Sequence, residues 1–286
     1  MKKTLIIASC LLTAGILVCF AAIALIDFDF RKLDNNMYIT NTYEFTEKIN
    51  KVYIDTSNAD IEVLPSDDDT AKIVCFEHEK STHAVTLSNE TLKIERESQK
   101  WYENFNFFNF CTQKITLYLP QKDAFLFEKH YSSLNINCTT GYVDISDINH
   151  FADINIDITT GDTKLNNVHT VNLNIKSTTG KINLNEVTST KTELKSTTGK
   201  VTLKDTFAHN LIEIKVTTGD ITFENCDAST LNCKTTTGDI KGTLLSNKIF
   251  YTDTTTGDVQ VPHSTEGGLC ELKTTTGSIK ISVMFK

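Results

Sequence analysis

The feature that most limits how this chain can fold is a Thr-Thr-Gly triplet that occurs eight times. Its glycine falls at Gly141, Gly161, Gly180, Gly199, Gly219, Gly238, Gly257 and Gly277, so that neighbours are 20, 19, 19, 20, 19, 19 and 20 residues apart. A period that constant marks stacked repeats. Apolar residues alternate with polar ones on both sides of each triplet: Leu173 and Ile175 precede Gly180, and Ile182 and Leu184 follow it. That is the period-2 pattern of half-buried strands. Each repeat therefore reads as strand, Thr-Thr-Gly bend, strand and a looser polar return.

Two all-β folds can use such a repeat. In an antiparallel meander each triplet would be a hairpin turn, and neighbouring triplets need not align. In a parallel β-solenoid identical positions stack, which explains the near-constant period. The solenoid is the expectation: about eight right-handed coils over residues 129–286, forming a rod about 40 Å long at about 4.8 Å per coil. The bend glycines are expected at positive φ, where only glycine is unstrained.

Residues 1–26 differ in kind. Lys2 and Lys3 precede an apolar run from Leu5 to Ile26, and Asp27 and Asp29 follow it. About 20 apolar residues suffice to cross a bilayer, and flanking lysines stay in the cytoplasm. This predicts a single-pass anchor with an extracellular C-terminal domain; a cleaved signal peptide ending near Ala22-Ile23-Ala24 is the alternative. Residues 27–50 read as a polar juxtamembrane stretch. Residues 51–128 read as a degenerate first coil, with Ala59 in the glycine place, followed by an antiparallel β cap. Within that cap the runs 83–89 and 91–97 meet at a turn around Asn89-Glu90.

Candidate sites follow from position. Lys176, Lys195, Lys215 and Lys234 stand four residues before successive glycines, a column of like charge able to take an envelope polyanion such as a teichoic acid, or to act as solvated edge protection. Glu193 and Glu213 are close enough in sequence to offset it. Asp220, Asp239 and Asp258 directly follow their glycines and are weak calcium candidates, since acidic residues are ordinary in turns. Trp101, Tyr102, Phe105, Phe107 and Phe108 form either an aromatic patch for sugar or membrane, or a plug for the solenoid end. The eight cysteines include no CxxC, and Cys138, Cys233 and Cys270 fall in the inward phase, so mainly buried free thiols are expected.

The net charge of −8 and the absence of arginine from the repeats argue against nucleic acid as partner. No GxSxG, HExxH or phosphate-binding glycine loop is present. No cofactor is implied, and the reading is non-enzymatic. The alternatives are a polysaccharide-active solenoid enzyme, an envelope-stress signalling accessory protein and a structural spacer.

The hydrophobic N-terminus, the Thr56-Ser57-Asn58-Ala59-Asp60-Ile61 coil, the Trp101-Tyr102 segment and the Thr-Thr-Gly-Asp-Ile coils together resemble the bacterial "putative adhesin" family of β-strand-repeat proteins. The resemblance covers essentially the whole chain, although Lys181, Lys200 and Ser278 replace the aspartate after glycine. It implies a β-solenoid at the cell surface with an envelope polysaccharide or protein as the expected partner, and supplies no catalytic residues.

Overall fold

The computed structural model describes residues 2–25, 37–97, 112–120 and 131–284. It opens with helix α1 (Lys2–Leu25). Among the described residues no helix is long and apolar enough to cross a membrane. Side chains of residues 2–7, 9, 10 and 22 lie outside the description, as do residues 26–36. The anchor expected over 1–26 therefore has no support in the fold itself.

Every other described element is strand, and all of them belong to one eighteen-stranded sheet. Its first part holds β1 (Tyr38–Phe45), β2 (Lys51–Ser66), β3 (Ala71–His78), β4 (His83–Ser88), β5 (Thr91–Arg96) and β6 (Gln113–Pro120). The stretch 27–50, expected as a polar linker, thus contributes β1, which runs antiparallel to β3. Strands β4 and β5 form a hairpin whose turn residues Asn89 and Glu90 both have positive φ, the geometry that matches strand twist in two-residue loops.

The antiparallel cap expected over this region is only half correct. Strands β5 and β6 lie parallel to β2, with Ile54 beside Ile94 and Ile61 beside Ile115. They make a further tier of the stack, and only β4 and β3 run antiparallel to it. The physical reason is the inward pattern: Leu92, Ile94, Ile115 and Leu117 are all fully buried, so the tier joins the solenoid's core rather than forming one of its own.

The repeats follow as β7 (Tyr131–Thr140), β8 (Val143–Thr160), β9 (Thr163–Thr179), β10 (Ile182–Thr198), β11 (Val201–Lys204), β12 (Phe207–Thr218) and β13 (Ile221–Thr237). All pair parallel and position for position: Ile136, Ile156, Ile175, Leu194, Ile214 and Cys233 form one inward column. The other edge of β7 pairs with β2, where Asn58 meets Thr140, so Ala59 occupies the glycine place. This register excludes the meander.

Two corners turn each coil. At the first, the Gly161 amide donates to the Thr179 carbonyl at 2.9 Å and the Gly180 amide to the Thr198 carbonyl at 3.0 Å. Gly161 and Gly180 have φ of 138° and 144°, and a Cβ on either would overlap the carbonyl oxygen of the glycine one coil earlier. Glycine is therefore required for both conformation and stacking distance. The second corner is built on non-glycine residues at positive φ: Asp147, Asn167, Glu186, Asp205 and Asn225. Asn and Asp tolerate this region best. Here they also join across coils, with the Asn167 amide donating to Asp147 at 2.7 Å and the Asn225 amide to Asp205 at 3.0 Å.

The remaining strands are β14 (Ile240–Leu244), β15 (Lys248–Thr256), β16 (Val259–Gln260), β17 (Gly268–Thr276) and β18 (Ile279–Val283). Their order in space departs from their order in sequence. β13 pairs with β17, not β15, and β15 lies beyond β17; likewise β14 pairs with β18, and β16 lies beyond it. The last two coils are exchanged, so the glycine column runs Gly238, Gly277, Gly257. The C-terminal coil is interior to the rod and has strand partners on both edges. The outermost tier ends in the two-residue β16, and short edge strands discourage pairing with other chains.

One buried ion pair fastens the crossover. Lys248 is 3% exposed, and its Nζ donates to Asp227 Oδ1 at 2.5 Å and to Ser246 Oγ at 2.7 Å. Asp227 Oδ1 also accepts from Ser246 Oγ and from the Ala228 amide. A buried lysine costs several kcal/mol unless fully paired; here the pairing ties coil β13 to the strand that leaps past its neighbour.

Candidate ligand face

Outward positions of the strands before each bend stack as strictly as the inward ones. Four residues before each glycine the column reads Asp157, Lys176, Lys195, Lys215, Lys234. The coil exchange then places Lys273 next to Lys234, and Asp253 beyond Lys273. Chain order alone would have put Asp253 between the two lysines. Five lysines therefore follow one another without interruption, bracketed by an aspartate at each end.

The glutamates expected to answer this charge do so unequally. Glu213 pairs with Lys215 at 2.7 Å, and Glu271 pairs with Lys273. Glu193 turns instead to Lys191, at 2.6 Å. That hydrogen bond, opposed by partial burial and helped by the charges of Lys191, Lys195 and Lys215, holds the Glu193 carboxyl below its ordinary value. Among the described residues, Lys176, Lys195 and Lys234 take part in no ion pair.

Beside the lysines lies a groove of about 590 Å³, lined by Asp157, the lysines from Lys176 to Lys234 and bend residues such as Thr178 and Thr197. Lys273 borders an adjoining hollow of about 170 Å³ together with Lys215, Lys234 and Glu271. The bend threonines are exposed. The hydroxyl that reaches the neighbouring coil belongs to the residue before them: Thr235, Thr274 and Thr254 donate to the carbonyls of Gly219, Gly238 and Gly277, each at 3.0 Å. Ser177 and Ser196 occupy the same position, but their enclosed hydroxyls have no hydrogen-bond partner among the described residues, and both residues border the groove.

The residue after each glycine has a structural task. Asp220 Oδ1 accepts from the Asp239 amide at 2.9 Å, Asp239 Oδ1 from the Ser278 amide at 2.9 Å, and Asp162 Oδ1 from the Lys181 amide at 2.7 Å. Each carboxylate thus fastens its corner to the next. The calcium candidates Asp220, Asp239 and Asp258 do not form a run of three, because Ser278 lies between Asp239 and Asp258 and its Oγ accepts from the Asp258 amide at 3.3 Å. Among the described residues no group of three His, Cys, Asp or Glu is placed to hold a metal ion.

Trp101, Tyr102, Phe105, Phe107 and Phe108 lie outside the described residues. The described cysteines are all free, and Cys75, Cys138, Cys226, Cys233 and Cys270 are buried. Burial pushes Cys75 and Cys270 up to about 12, and Cys138 and Cys226 up to about 11. These thiols are packing residues, protonated and inert at neutral pH.

One cluster escaped the sequence reading. Glu77, fully buried, accepts at Oε2 from the His83 amide and meets His83 Nδ1, both at 2.8 Å, and accepts at Oε1 from the Asn41 amide at 2.7 Å. His83 Nε2 lies 2.9 Å from Thr56 Oγ1. The order hydroxyl, imidazole, carboxylate has the connectivity of a nucleophile with its base, but all three groups are buried. The arrangement instead joins β1, β2, β3 and β4 across the cap. Its signal was Glu77 itself, a charged residue in the inward phase of the alternating run Ala71, Ile73, Cys75.

The fold has solved counterparts. A protein described as a "putative adhesin" from Bacteroides fragilis NCTC 9343 superposes with a TM-score of 0.59 at 18% identity, covering 86% of this chain and 97% of its own. A "putative lipid binding protein" from Parabacteroides distasonis ATCC 8503 gives a TM-score of 0.54 at 16% identity, covering 87% and 98%. A second "putative adhesin" from the same organism gives 0.50 at 12% identity, covering 86% and 98%. At such identities the likeness establishes the fold alone. No curated protein matches the chain. The sequence model of the family described as Toastrack DUF4097 matches residues 49–240 and 204–284, which is most of the chain, and the protein belongs to that family.

Proposed function

We propose that this protein is a non-enzymatic surface protein, held at the cell membrane by its N-terminal segment and presenting the outer face of its solenoid to a component of the envelope. The observation that carries the reading is the outward register. Because like residues stack coil upon coil, one strip of the rod bears a continuous basic column beside a long groove. A strip of that kind suits recognition of an extended partner. The description of two fold neighbours as "putative adhesins" is consistent with it.

The N-terminal segment fits the same picture. Leu11, Leu12, Leu17, Val18 and Phe20 of α1 are each more than 60% exposed, an apolar surface that contact with lipid would cover. Lys2 and Lys3 on one side, with Asp27 and Asp29 on the other, orient the solenoid outward.

The test is a cell fractionation with protease shaving, followed by pull-down of wall and membrane fractions on the full-length protein. Membrane association, surface cleavage and capture of an envelope component are expected. A chain recovered in the cytoplasmic fraction and resistant to external protease would overturn the reading.

A further inference from the structure

Resting on that reading and extending it to the ligand, we infer that the groove beside Lys176, Lys195, Lys215 and Lys234, together with the adjoining hollow at Lys273, is a binding site for a linear polyanion with phosphate in its backbone, a phosphodiester-linked polyol chain of the envelope. Three observations converge on this class. The lysines follow one another on successive coils, about 4.8 Å apart, so five span about 19 Å. Only a polymer with closely spaced charge answers each of them; one acid per disaccharide would leave alternate lysines facing each other unopposed. Next, the protein carries a net charge of −8, yet this strip accumulates like charge, and Lys176, Lys195 and Lys234 lack an ion-pair partner among the described residues. Repulsion of that kind is relieved by an external anion.

Finally, the groove has no aromatic lining, so it offers no stacking platform for bases, and the strip has no arginine for bidentate base or carboxylate contacts. A polyol phosphate needs neither. Asp157 and Asp253 bound the column, which sets the recognised length at five charges.

The experiment is a titration of full-length protein in detergent with a glycerol-phosphate oligomer of about six units, at several salt concentrations. With five phosphate contacts, and the slope of about −0.7 per contact found for flexible strands, affinity should fall about 100-fold between 50 and 200 mM salt. In a Lys195→Gln/Lys215→Gln/Lys234→Gln variant two contacts remain, and the same change in salt should cost only about sevenfold. Lys273→Gln alone should reduce the slope by about one contact, which tests the exchanged coil directly. Lys164→Gln and Lys204→Gln, outside the column, should bind as the parent does, and an unchanged unfolding midpoint verifies that each variant is folded.

Polyglutamate of equal charge binding as tightly as the oligomer would overturn the phosphate class. A salt slope unaffected by the column substitutions would overturn the site. If the parent captures envelope material while the triple variant captures it equally well, the groove inference fails and the platform reading stands. If the parent captures none, the platform reading fails first.

Discussion

The middle of the rod and its two ends solve the same problem differently. From Gly141 to Gly238 each coil lies on the one before it in chain order, and register is enforced by repetition: the same glycine, the same inward column, the same corner. At the ends repetition has no next coil to pair with. The N-terminal end closes with a tier assembled from β5 and β6 and covered by antiparallel strands. The C-terminal end exchanges its last two coils, so that the final strands are held from both sides. Sequence identity stabilises the middle, whereas unique contacts stabilise the ends: Lys248 with Asp227, and Glu77 with His83.

The contrast is broken most severely at a bend glycine. Gly180→Ala places a Cβ against the Gly161 carbonyl and forces alanine to φ near 144°. Such strain costs about 1–3 kcal/mol, and a clash that shifts two coils adds to it, so a loss of about 4 kcal/mol is expected in chemical denaturation. At the N-terminal end the same position already carries Ala59, and Ala59→Gly should change stability by less than about 1 kcal/mol. Equal costs at both places would erase the distinction between middle and end.

Next in size is the crossover. Asp227→Ala leaves the ammonium of Lys248 buried without its carboxylate, which should cost about 3 kcal/mol. The loss should appear first as faster hydrogen exchange in residues 245–284, while the amides of β8 to β10 stay protected. Lys248→Met, which removes the buried charge, should cost less than Asp227→Ala. If both variants destabilise the middle coils first, the end does not unfold as a separate unit.

Much of this was legible in the residues. The triplet period gave the parallel stack, and the inward alternation gave columns from Leu134 to Ile214 that the register reproduces. Two things could not be read. Exchanging neighbouring repeats leaves the pattern intact, because Phe250 and Thr252 fit the same inward places as Cys270 and Leu272. The local clues were a lysine, Lys248, in an inward phase and the Pro262 to Gly268 interval that loosens the final repeat. The fifth lysine of the column was hidden for the same reason. The parallel pairing of β6 with β2 was hidden differently, since alternation reports which face is buried but not strand direction.

Thiol ionisation probes middle and ends together. Cys75, Cys138, Cys226 and Cys270 have folded values raised by desolvation to about 11 or 12, against about 8.5 for an unfolded thiol. The native state therefore holds its protons longer than the unfolded state does. Stability is fully present below about pH 8.5 and is lost as pH rises toward the folded values. A loss of about 1–2 kcal/mol per thiol is expected between pH 8 and pH 10. Replacing Cys138 by alanine should flatten that dependence by one thiol's share, apart from its packing cost. Alkylation at pH 7.5 should leave all five described solenoid thiols unmodified until denaturant is added.

The smallest expected effect belongs to the aspartates after the bend. Asp220 and Asp239 each satisfy one amide of the next coil, a charge-assisted hydrogen bond at a partly exposed corner. Asp220→Ala should cost about 1 kcal/mol, and Asp239→Ala about the same. Yet the amide reached from Asp239 is that of Ser278, a neighbour created by the exchange of coils and 39 residues away in sequence. A double change of Asp239 and Asp227 should therefore cost more than the sum of the two single changes, because both fasten the exchanged coils to β13. Strict additivity would mean that the exchanged coils are held by strand pairing alone.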